Sequence, residues 1–202
     1  MTGVQTCALP ILIFDKKTSD KDKNEFQGII VGEIKRIDNT IKDFLNFARP
    51  KEATLEKLDL SQTLHDSLKQ IEIQADSSKI KISKDIESDV VILGDKEKIH
   101  QVILNLLLNA LDVSEPESII EIALKNRNNG QIIFTIRDFG EGIEQDVLDH
   151  VFDPFFTTKA SGTGLGLPIV KSIIENHNGS INIKSKKDEG TSVIIEIPSF
   201  KE

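Results

Sequence analysis

Apolar residues in the first quarter of the chain recur at alternating intervals of four and three positions. This heptad spacing predicts a helix with a helical-bundle or coiled-coil partner; a plain amphipathic helix packed on its own domain is the alternative. Arg49-Pro50 is expected to end the helix, because the residue before a proline is pushed out of the α region. The charged segment Asp15–Lys23 predicts a turn before it. The seam consists of Ile30, Ile34, Ile37, Ile41, Phe44 and Ala48.

From residue 58 onward, strand-like alternation and helix-like spacing follow one another. Helices are predicted from an N-cap at Ser61, from Gly94-Asp95 to about Val113, and over Leu165–Glu175. Strands are predicted over 58–60, 80–86, 90–93, 119–124, 132–136, 181–183 and 193–197. This mixture predicts an α/β fold, a two-layer α/β sandwich with a mixed sheet, preceded by one long helix.

Composition narrows the class of protein. A chain of 202 residues suggests one domain, or one domain with a small appendage. Its net charge of −8 argues against a nucleic-acid partner bound through phosphate contacts. The single cysteine, Cys7, excludes an internal disulfide, and no pair of histidines has the spacing of a metal site. No apolar run approaches the roughly 18–20 residues that span a bilayer, so no membrane segment is expected in this chain.

A polar stripe interrupts the apolar helix that follows Asp95. Asn105, Asn109 and Asp112 lie at i, i+4 and i+7, on a face separate from the apolar residues. Asparagine is a poor helix former, so two asparagines one turn apart in an apolar helix require an explanation. One explanation is buried asparagines that cap neighbouring backbone. The other is a magnesium site, because Mg²⁺ prefers oxygen ligands and keeps waters and substrate phosphates in its shell.

Two glycine-containing segments follow this helix. Asp138 comes after a predicted strand and before Gly140 and Gly142, a composition that equally suits a simple turn. Gly162-Thr-Gly-Leu-Gly166 runs directly into a helix, whose free backbone N–H groups attract phosphate. Its spacing is neither the dinucleotide fingerprint nor a Walker motif, and a flexible loop before a helix has the same composition.

Four motifs occur in one fixed order: His100–Ala110, Asp138–Ile143, Phe152–Lys159 and Gly162–Leu167. Together they resemble the N, G1, F and G2 boxes in the catalytic, ATP-binding domain of two-component sensor histidine kinases, in the nitrogen-regulation-like branch. The resemblance extends over roughly residues 32–200. It implies the ATPase fold shared by histidine kinases, Hsp90 and gyrase over residues 55–200. It also implies a partial dimerisation domain over residues 12–50, whose long helix belongs to a dimerising helical hairpin.

The resemblance assigns roles to single residues. Asn109 would be the ligand of Mg²⁺, Asn105 would support the phosphates or their waters, and Asp138 would accept a hydrogen bond from the adenine amino group. The lid over ATP is the segment between Ile143 and Gly162, where aromatic residues such as Phe155 are otherwise more often core. The remaining implied ATP-binding residues are Gly140, Gly142, Ile143, Lys159, Gly162, Thr163, Gly164, Leu165, Gly166 and Thr191.

The implied function is that of the C-terminal part of a sensor histidine kinase. The intact protein would bind ATP and Mg²⁺, pass the γ-phosphoryl group to a histidine, and relay it to an aspartate on a response regulator receiver domain. It would be a homodimer through the N-terminal helix. A cytoplasmic location follows, with membrane anchoring of the intact protein left open.

No histidine box precedes the four motifs, which is the main departure from the family pattern. None of His65, His100, His150 and His177 is assigned as the phosphoacceptor, and His177, at a helix C-terminus, is expected to favour a cationic ring. No catalytic residue is therefore assigned, and this chain alone is not expected to phosphorylate itself. A second departure is Asp112, which stands where many relatives have lysine.

Two other functions compete with this interpretation. A hydrolytic or serine-kinase member of the same ATPase superfamily would typically carry a glutamate as general base at position 105, whereas asparagine cannot abstract a proton at neutral pH. A nucleotide-sensing interaction module without catalysis would bind ATP and transfer no phosphoryl group.

The first 11 residues stand apart from the rest. Met-Thr-Gly-Val-Gln-Thr-Cys-Ala-Leu-Pro-Ile resembles the translated read-through of a common short-read sequencing adapter, and a natural disordered N-terminus is the alternative. If the adapter interpretation holds, the native sequence begins near Leu12. Leu12-Ile13-Phe14 would then be the tail of a first helix.

Overall fold

The computed structural model describes residues 20–48, 53–127, 129–159 and 162–200. The adapter-like segment, Leu12–Phe14, the first part of the predicted turn and the Arg49-Pro50 helix exit lie outside these ranges. The chain divides into two units, residues 1–48 and residues 49–202, each with its own internal contacts.

The described part of the first unit is one long helix, α1 (Asp20–Ala48). It begins at Asp20, so the prediction of a turn as far as Lys23 was wrong. Four residues of the predicted seam are exposed to solvent: Ile34 (60%), Ile37 (57%), Ile41 (52%) and Phe44 (46%). Within the described residues, no helix has the length and apolar character needed to cross a membrane.

The second unit has two sheets. A two-stranded antiparallel sheet joins β1 (Glu56–Asp59) to β3 (Val91–Gly94). The larger sheet has five strands in the order β2-β4-β5-β7-β6. Only β2 and β4 run parallel, so the sheet is mixed, as predicted. Its strands are β2 (Lys81–Ile86), β4 (Ile119–Arg127), β5 (Gln131–Arg137), β6 (Ser180–Lys186) and β7 (Gly190–Pro198).

Helices cover the inner face of the larger sheet and complete the two-layer sandwich. They are α2 (Leu60–Ser77), α3 (Lys96–Val113), the short α4 (Gln145–Leu148) and α5 (Gly166–Asn176). Alternate residues of β4 and β5, such as Ile122 and Phe134, are buried beneath them, while the residues between face outward. Period-two alternation in the strands and the apolar stripes of α2, α3 and α5 therefore build one core.

The start of α2 differs from the prediction. Asp59, not Ser61, is the N-cap, and its Oδ1 accepts a hydrogen bond of 2.9 Å from Gln62 N. The strand consequently ends one residue before Leu60. Ser61 is buried instead, where it donates to Glu87 O at 2.8 Å and accepts from Val90 N at 3.1 Å. Asp59 and Ser61 are both suitable N-cap residues. The carboxylate of Asp59 caps the helix, and the hydroxyl of Ser61 connects the helix to the loop at Glu87 and Val90.

His177 holds two helices together as a neutral ring, which makes the expectation of a cationic ring wrong. Asp95 N lies 3.0 Å from His177 Nε2, so that nitrogen must be the acceptor. Nδ1 lies 2.7 Å from Ile173 O, so that nitrogen must carry the hydrogen. His177 is 3% exposed and thereby joins the end of α5 to Asp95, the N-cap of α3, whose Oδ1 accepts from Lys98 N.

Replacing His177 by alanine should destabilise the second unit. The part-buried Asp95 N–H would lose its partner, and the loss of a hydrogen bond costs up to about 1–3 kcal/mol before the cavity is counted. Urea unfolding measures the change in the free energy of unfolding. The control is His65→Ala at an exposed position of α2, which should shift it by about 0.5 kcal/mol or less. Equal shifts for the two variants would contradict the structural role of His177.

Candidate functional site

Helix α3 separates an apolar face from a polar one, as its sequence predicts. The apolar stripe is almost fully buried, with Ile103 1% and Leu106 2% exposed. On another face, Asn105 and Asn109 are half-buried and Asp112 is exposed. The two amide side chains therefore lie at the edge of the core, where a ligand from solvent can reach them.

The lid lysine reaches the polar face of α3. Lys159 Nζ lies 3.3 Å from Asn109 Oδ1 and 3.0 Å from Asp112 Oδ2. An ammonium group can only donate, so the Asn109 atom that faces it is the carbonyl oxygen. The structure therefore brings together the residue predicted to bind the metal and the residue predicted to bind phosphate, around a position that already favours a cation.

The donor set at this position suits Mg²⁺. Asn109 offers an amide oxygen and Asp112 a carboxylate oxygen, both of the type that magnesium prefers. Within the described ranges, no group of three or more His, Cys, Asp or Glu side chains could hold a metal ion. A magnesium ion bound here would complete its shell with water and with the phosphates of a nucleotide.

Asp138 lies directly after β5 and is only 5% exposed. Its Oδ1 accepts hydrogen bonds from Gly140 N at 3.0 Å and from Thr191 N at 3.1 Å, and its own N–H donates to Thr191 O at 2.9 Å. Burial raises the pKa of this carboxyl group above its ordinary value, and the N–H groups of Gly140 and Thr191 offset part of that rise. The carboxylate is held rigidly by the sheet rather than free in a turn.

Gly142 allows the loop after Asp138 to lie against the β6–β7 hairpin. Its φ is +66°, and a Cβ atom there would lie 2.0 Å from Lys186 O. The next residue, Ile143, donates its N–H to Ser185 Oγ at 2.8 Å. Protein backbone therefore approaches Gly142 so closely that any side chain at this position would block the contact.

The end of the lid folds back onto the glycine loop. Phe155 has a φ of +67°, and its N–H donates to Gly164 O at 3.0 Å. Gly164 has a φ of +67° as well, and a Cβ there would lie 2.4 Å from Phe155 C. Phe155 and Phe156 are 59% and 36% exposed, so the alternative of a core position does not hold for either.

Helix α5 opens without a side-chain cap. Gly166 is its first residue, and the N-cap Leu165 makes no capping bond through its side chain. Thr163 Oγ1 instead accepts from Leu165 N at 3.3 Å. Pro168, in the first turn, has no N–H to satisfy. The loop and helix together present backbone N–H groups of the kind that bind phosphate.

The predicted site residues fall into three groups. In the first group, Asp138 accepts from Gly140 and Thr191. Ile143 is connected to Thr191 through Ser185, and Gly142 lies against the same hairpin at Lys186. Asn109 and Lys159 form the second group, with Asn105 one turn away on the same helix. The third is the loop Gly162–Gly166, fastened to the lid through Gly164.

One residue at the base of the first group was missed by sequence reasoning. Ser185 bonds both Ile143 N and Thr191 Oγ1. The signal that could have found it is its place in the alternation of β6. It follows Ile181 and Ile183 at the next inward position, where an apolar residue would be expected.

Asp138→Asn should weaken nucleotide binding about tenfold or more. The reason is the loss of a charged hydrogen bond, worth roughly 1.5–3 kcal/mol. Calorimetric titration with ATP measures it. The unfolding free energy at neutral pH should not fall, because an amide oxygen can still accept from Gly140 and Thr191 and no charge remains buried.

The pH dependence of stability separates this effect from misfolding. Burial raises the pKa of Asp138 in the folded protein above its value in the unfolded chain. Asp138 therefore stabilises the folded protein fully at pH values below the unfolded-state pKa, and this stabilisation is lost as pH rises through the folded-state pKa. The wild type should therefore gain stability relative to Asp138→Asn as pH falls through that window. A variant of normal stability with unchanged ATP affinity would remove Asp138 from the site.

Asn109→Ala should abolish the magnesium-dependent part of ATP binding. The affinity ratio measured with and without Mg²⁺ should fall to about one, because the amide ligand is gone. Asn182→Ala, an exposed asparagine on the outer face of β6, is the matched control and should keep the wild-type ratio. Retention of the full magnesium effect in Asn109→Ala would show that another group binds the metal.

Comparison with known proteins supports one family. Residues 94–201 match the model of a family described as histidine kinase-, DNA gyrase B-, and HSP90-like ATPase. The chain is similar to sensor histidine kinase ZraS of Salmonella typhimurium, with 33% identity over 178 residues. The match covers 88% of this chain and 38% of ZraS, so the chain spans well under half the length of that relative.

Solved structures agree with the architecture. The mycobacterial sensor histidine kinase MprB superposes with a TM-score of 0.67 and 26% identity, over 74% of this chain and 100% of that one. Histidine kinase ThkA, solved in complex with the response regulator protein TrrA, gives a TM-score of 0.74 at 24% identity, over 92% of this chain and 53% of that chain. The similarity to ThkA supports the fold assignment and nothing further.

Proposed function

Because this chain belongs to the family of histidine kinase-, DNA gyrase B- and HSP90-like ATPases, and carries the catalytic domain of a two-component sensor histidine kinase, we propose that it binds Mg-ATP and donates the γ-phosphoryl group to a histidine side chain. The observation that carries the proposal is the contact of Lys159 with Asn109 and Asp112, which gathers cation and oxygen ligands at one place. None of the four histidines of this chain is proposed as that acceptor.

The base end of the nucleotide would lie at Asp138. Its Oδ1 is occupied by the N–H groups of Gly140 and Thr191, and within the described residues Oδ2 has no hydrogen-bond partner. A carboxylate oxygen can accept a hydrogen bond from the amino group of adenine, whereas backbone N–H groups, which only donate, cannot. Ile143, which is joined to the β6–β7 hairpin through Ser185, would supply an apolar surface for the ring.

The phosphate end would lie between α3 and α5. Mg²⁺ bound to Asn109 would neutralise charge on the phosphates, and Asn105 would hold their waters. Backbone N–H groups of the loop Gly162–Gly166 would bind phosphate oxygens, apart from those of Gly162 and Leu165, which already donate to Lys159 O and Thr163 Oγ1. Lys159 would exchange its contact with Asn109 and Asp112 for one with phosphate. Phosphoryl transfer depends mainly on such positioning and charge neutralisation, so these groups suffice on the nucleotide side.

Asn105 favours transfer to another side chain over hydrolysis of ATP. A hydrolase needs a base to activate water, and an amide has no lone pair that takes up a proton at neutral pH. The nucleophile would then come with its own base from the dimerisation domain. The seam of α1, where Ile34, Ile37 and Ile41 are more than half exposed, supports a homodimer formed through that helix.

The phosphoryl group would pass from the histidine to an aspartate on a response regulator receiver domain. The complex of ThkA with TrrA is a complex of this kind in a protein of similar fold. We place the activity in the cytoplasm, where ATP and Mg²⁺ are available.

The test of this function is incubation with γ-labelled ATP and Mg²⁺. The chain alone should bind ATP and remain unlabelled. Addition of a polypeptide with the phosphoacceptor hairpin of the intact protein should give acid-labile, alkali-stable label on that polypeptide, slowly, because tethering is lost. Asp138→Asn should reduce this transfer.

His65→Ala is the necessary control, because His65 is exposed and is followed by Asp66. Alkali-stable label on the chain alone that disappears in this variant would identify His65 as a phosphoacceptor and contradict the assignment. Release of free phosphate without an acceptor would indicate a hydrolase. ATP binding with no transfer to the added hairpin would indicate an interaction module without catalysis.

A further inference from the structure

The hydroxyl groups of Ser185 and Thr191 form a small network beneath the proposed base site. Ser185 Oγ lies 2.8 Å from Thr191 Oγ1, 3.0 Å from Gly190 O and 2.8 Å from Ile143 N. The two residues face each other across the β6–β7 pairing. Both are half-buried, on the inward side of the sheet, so water has limited access to compete for these bonds.

The direction of each hydrogen bond in this network is fixed by what its partners can do. Gly190 O can only accept, so the single hydrogen of the Ser185 hydroxyl points to it. Ile143 N–H can only donate, so it takes one lone pair of Ser185 Oγ. The remaining contact must then run from the Thr191 hydroxyl to the second lone pair of Ser185.

Thr191 is consequently left with lone pairs and no hydrogen to offer a ligand. Its backbone N–H is bound to Asp138 Oδ1, so the two side chains lie side by side. Asp138 is an acceptor as well when it is ionised. The two groups that face the base would therefore both be acceptors, and they would match a ligand that presents hydrogen-bond donors.

We propose that Ser185 is a positioning residue that makes the base site select purine nucleotides with a 6-amino group against those with a 6-oxo group. The proposal rests on the proposed binding of ATP. A 6-amino group donates to Asp138 and, directly or through one water, to Thr191. A 6-oxo group is an acceptor and would face two acceptors, which repel it and leave it without a partner.

The measurement is the ratio of dissociation constants for inosine triphosphate and ATP, obtained by calorimetric titration of the full chain with Mg²⁺. The wild type should prefer ATP. Ser185→Ala should reduce that preference about fivefold or more, because the Thr191 hydroxyl is then free to rotate and donate to a 6-oxo oxygen. Ser185→Thr keeps a hydroxyl on Cβ and should restore the preference.

A double variant isolates the mechanism. Thr191→Val removes the hydroxyl that Ser185 orients, so adding Ser185→Ala in that background should leave the ratio unchanged. If Ser185 serves only to hold Ile143 and the hairpin in place, Ser185→Ala will weaken both nucleotides equally, the ratio will stay at the wild-type value, and the proposal is overturned.

Binding of ATP and inosine triphosphate to the wild-type chain distinguishes failure of the Ser185 proposal from failure of the proposed nucleotide binding. Tight binding of ATP without preference over inosine triphosphate overturns the role of Ser185 and leaves the proposed nucleotide binding intact. Failure of the folded wild-type chain to bind either nucleotide overturns the proposed function itself, and the positioning role with it.

Discussion

The pairing of Asp138 with Thr191 is the interaction on which the site depends. It is a two-way exchange, in which the backbone N–H of Asp138 donates to Thr191 O and the carboxylate accepts from Thr191 N. This exchange continues the β5–β7 ladder one step past the last strand residue, Arg137. A buried carboxyl group is therefore fixed by sheet hydrogen bonding, and the loop with Gly140 and Gly142 begins where β7 begins.

Periodicity predicted most of the fold because the core depends on it. The seven strands and the three long helices of the second unit follow directly from apolar spacing, and their ends shifted by a residue or a few. The clearest error, the cap at Ser61, arose because Asp59 and Ser61 are both good cap residues. The choice between them depends on Glu87 and Val90, which only the folded chain brings near.

The sequence predicts those residues of the candidate site that belong to short local motifs. The polar stripe of α3 and the glycine loop are visible in the sequence because helical periodicity and glycine composition are local. Ser185 could not be assigned a partner in that way, since the register of β6 against β7 decides which hydroxyl it meets. The charge state of His177 depended similarly on Asp95, 82 positions away.

The contact of Lys159 with Asn109 has a thermodynamic consequence. An ammonium group and a magnesium ion are rival occupants of the same carbonyl oxygen, so each must lower the affinity of the other for it. If Lys159 released Asn109 Oδ1 only when a metal-bound nucleotide arrived, the position of the segment that carries Lys159 would be coupled to occupancy of the site. By the same reciprocity, any event that moves Lys159 away from α3 would raise the affinity of Asn109 for a metal ion.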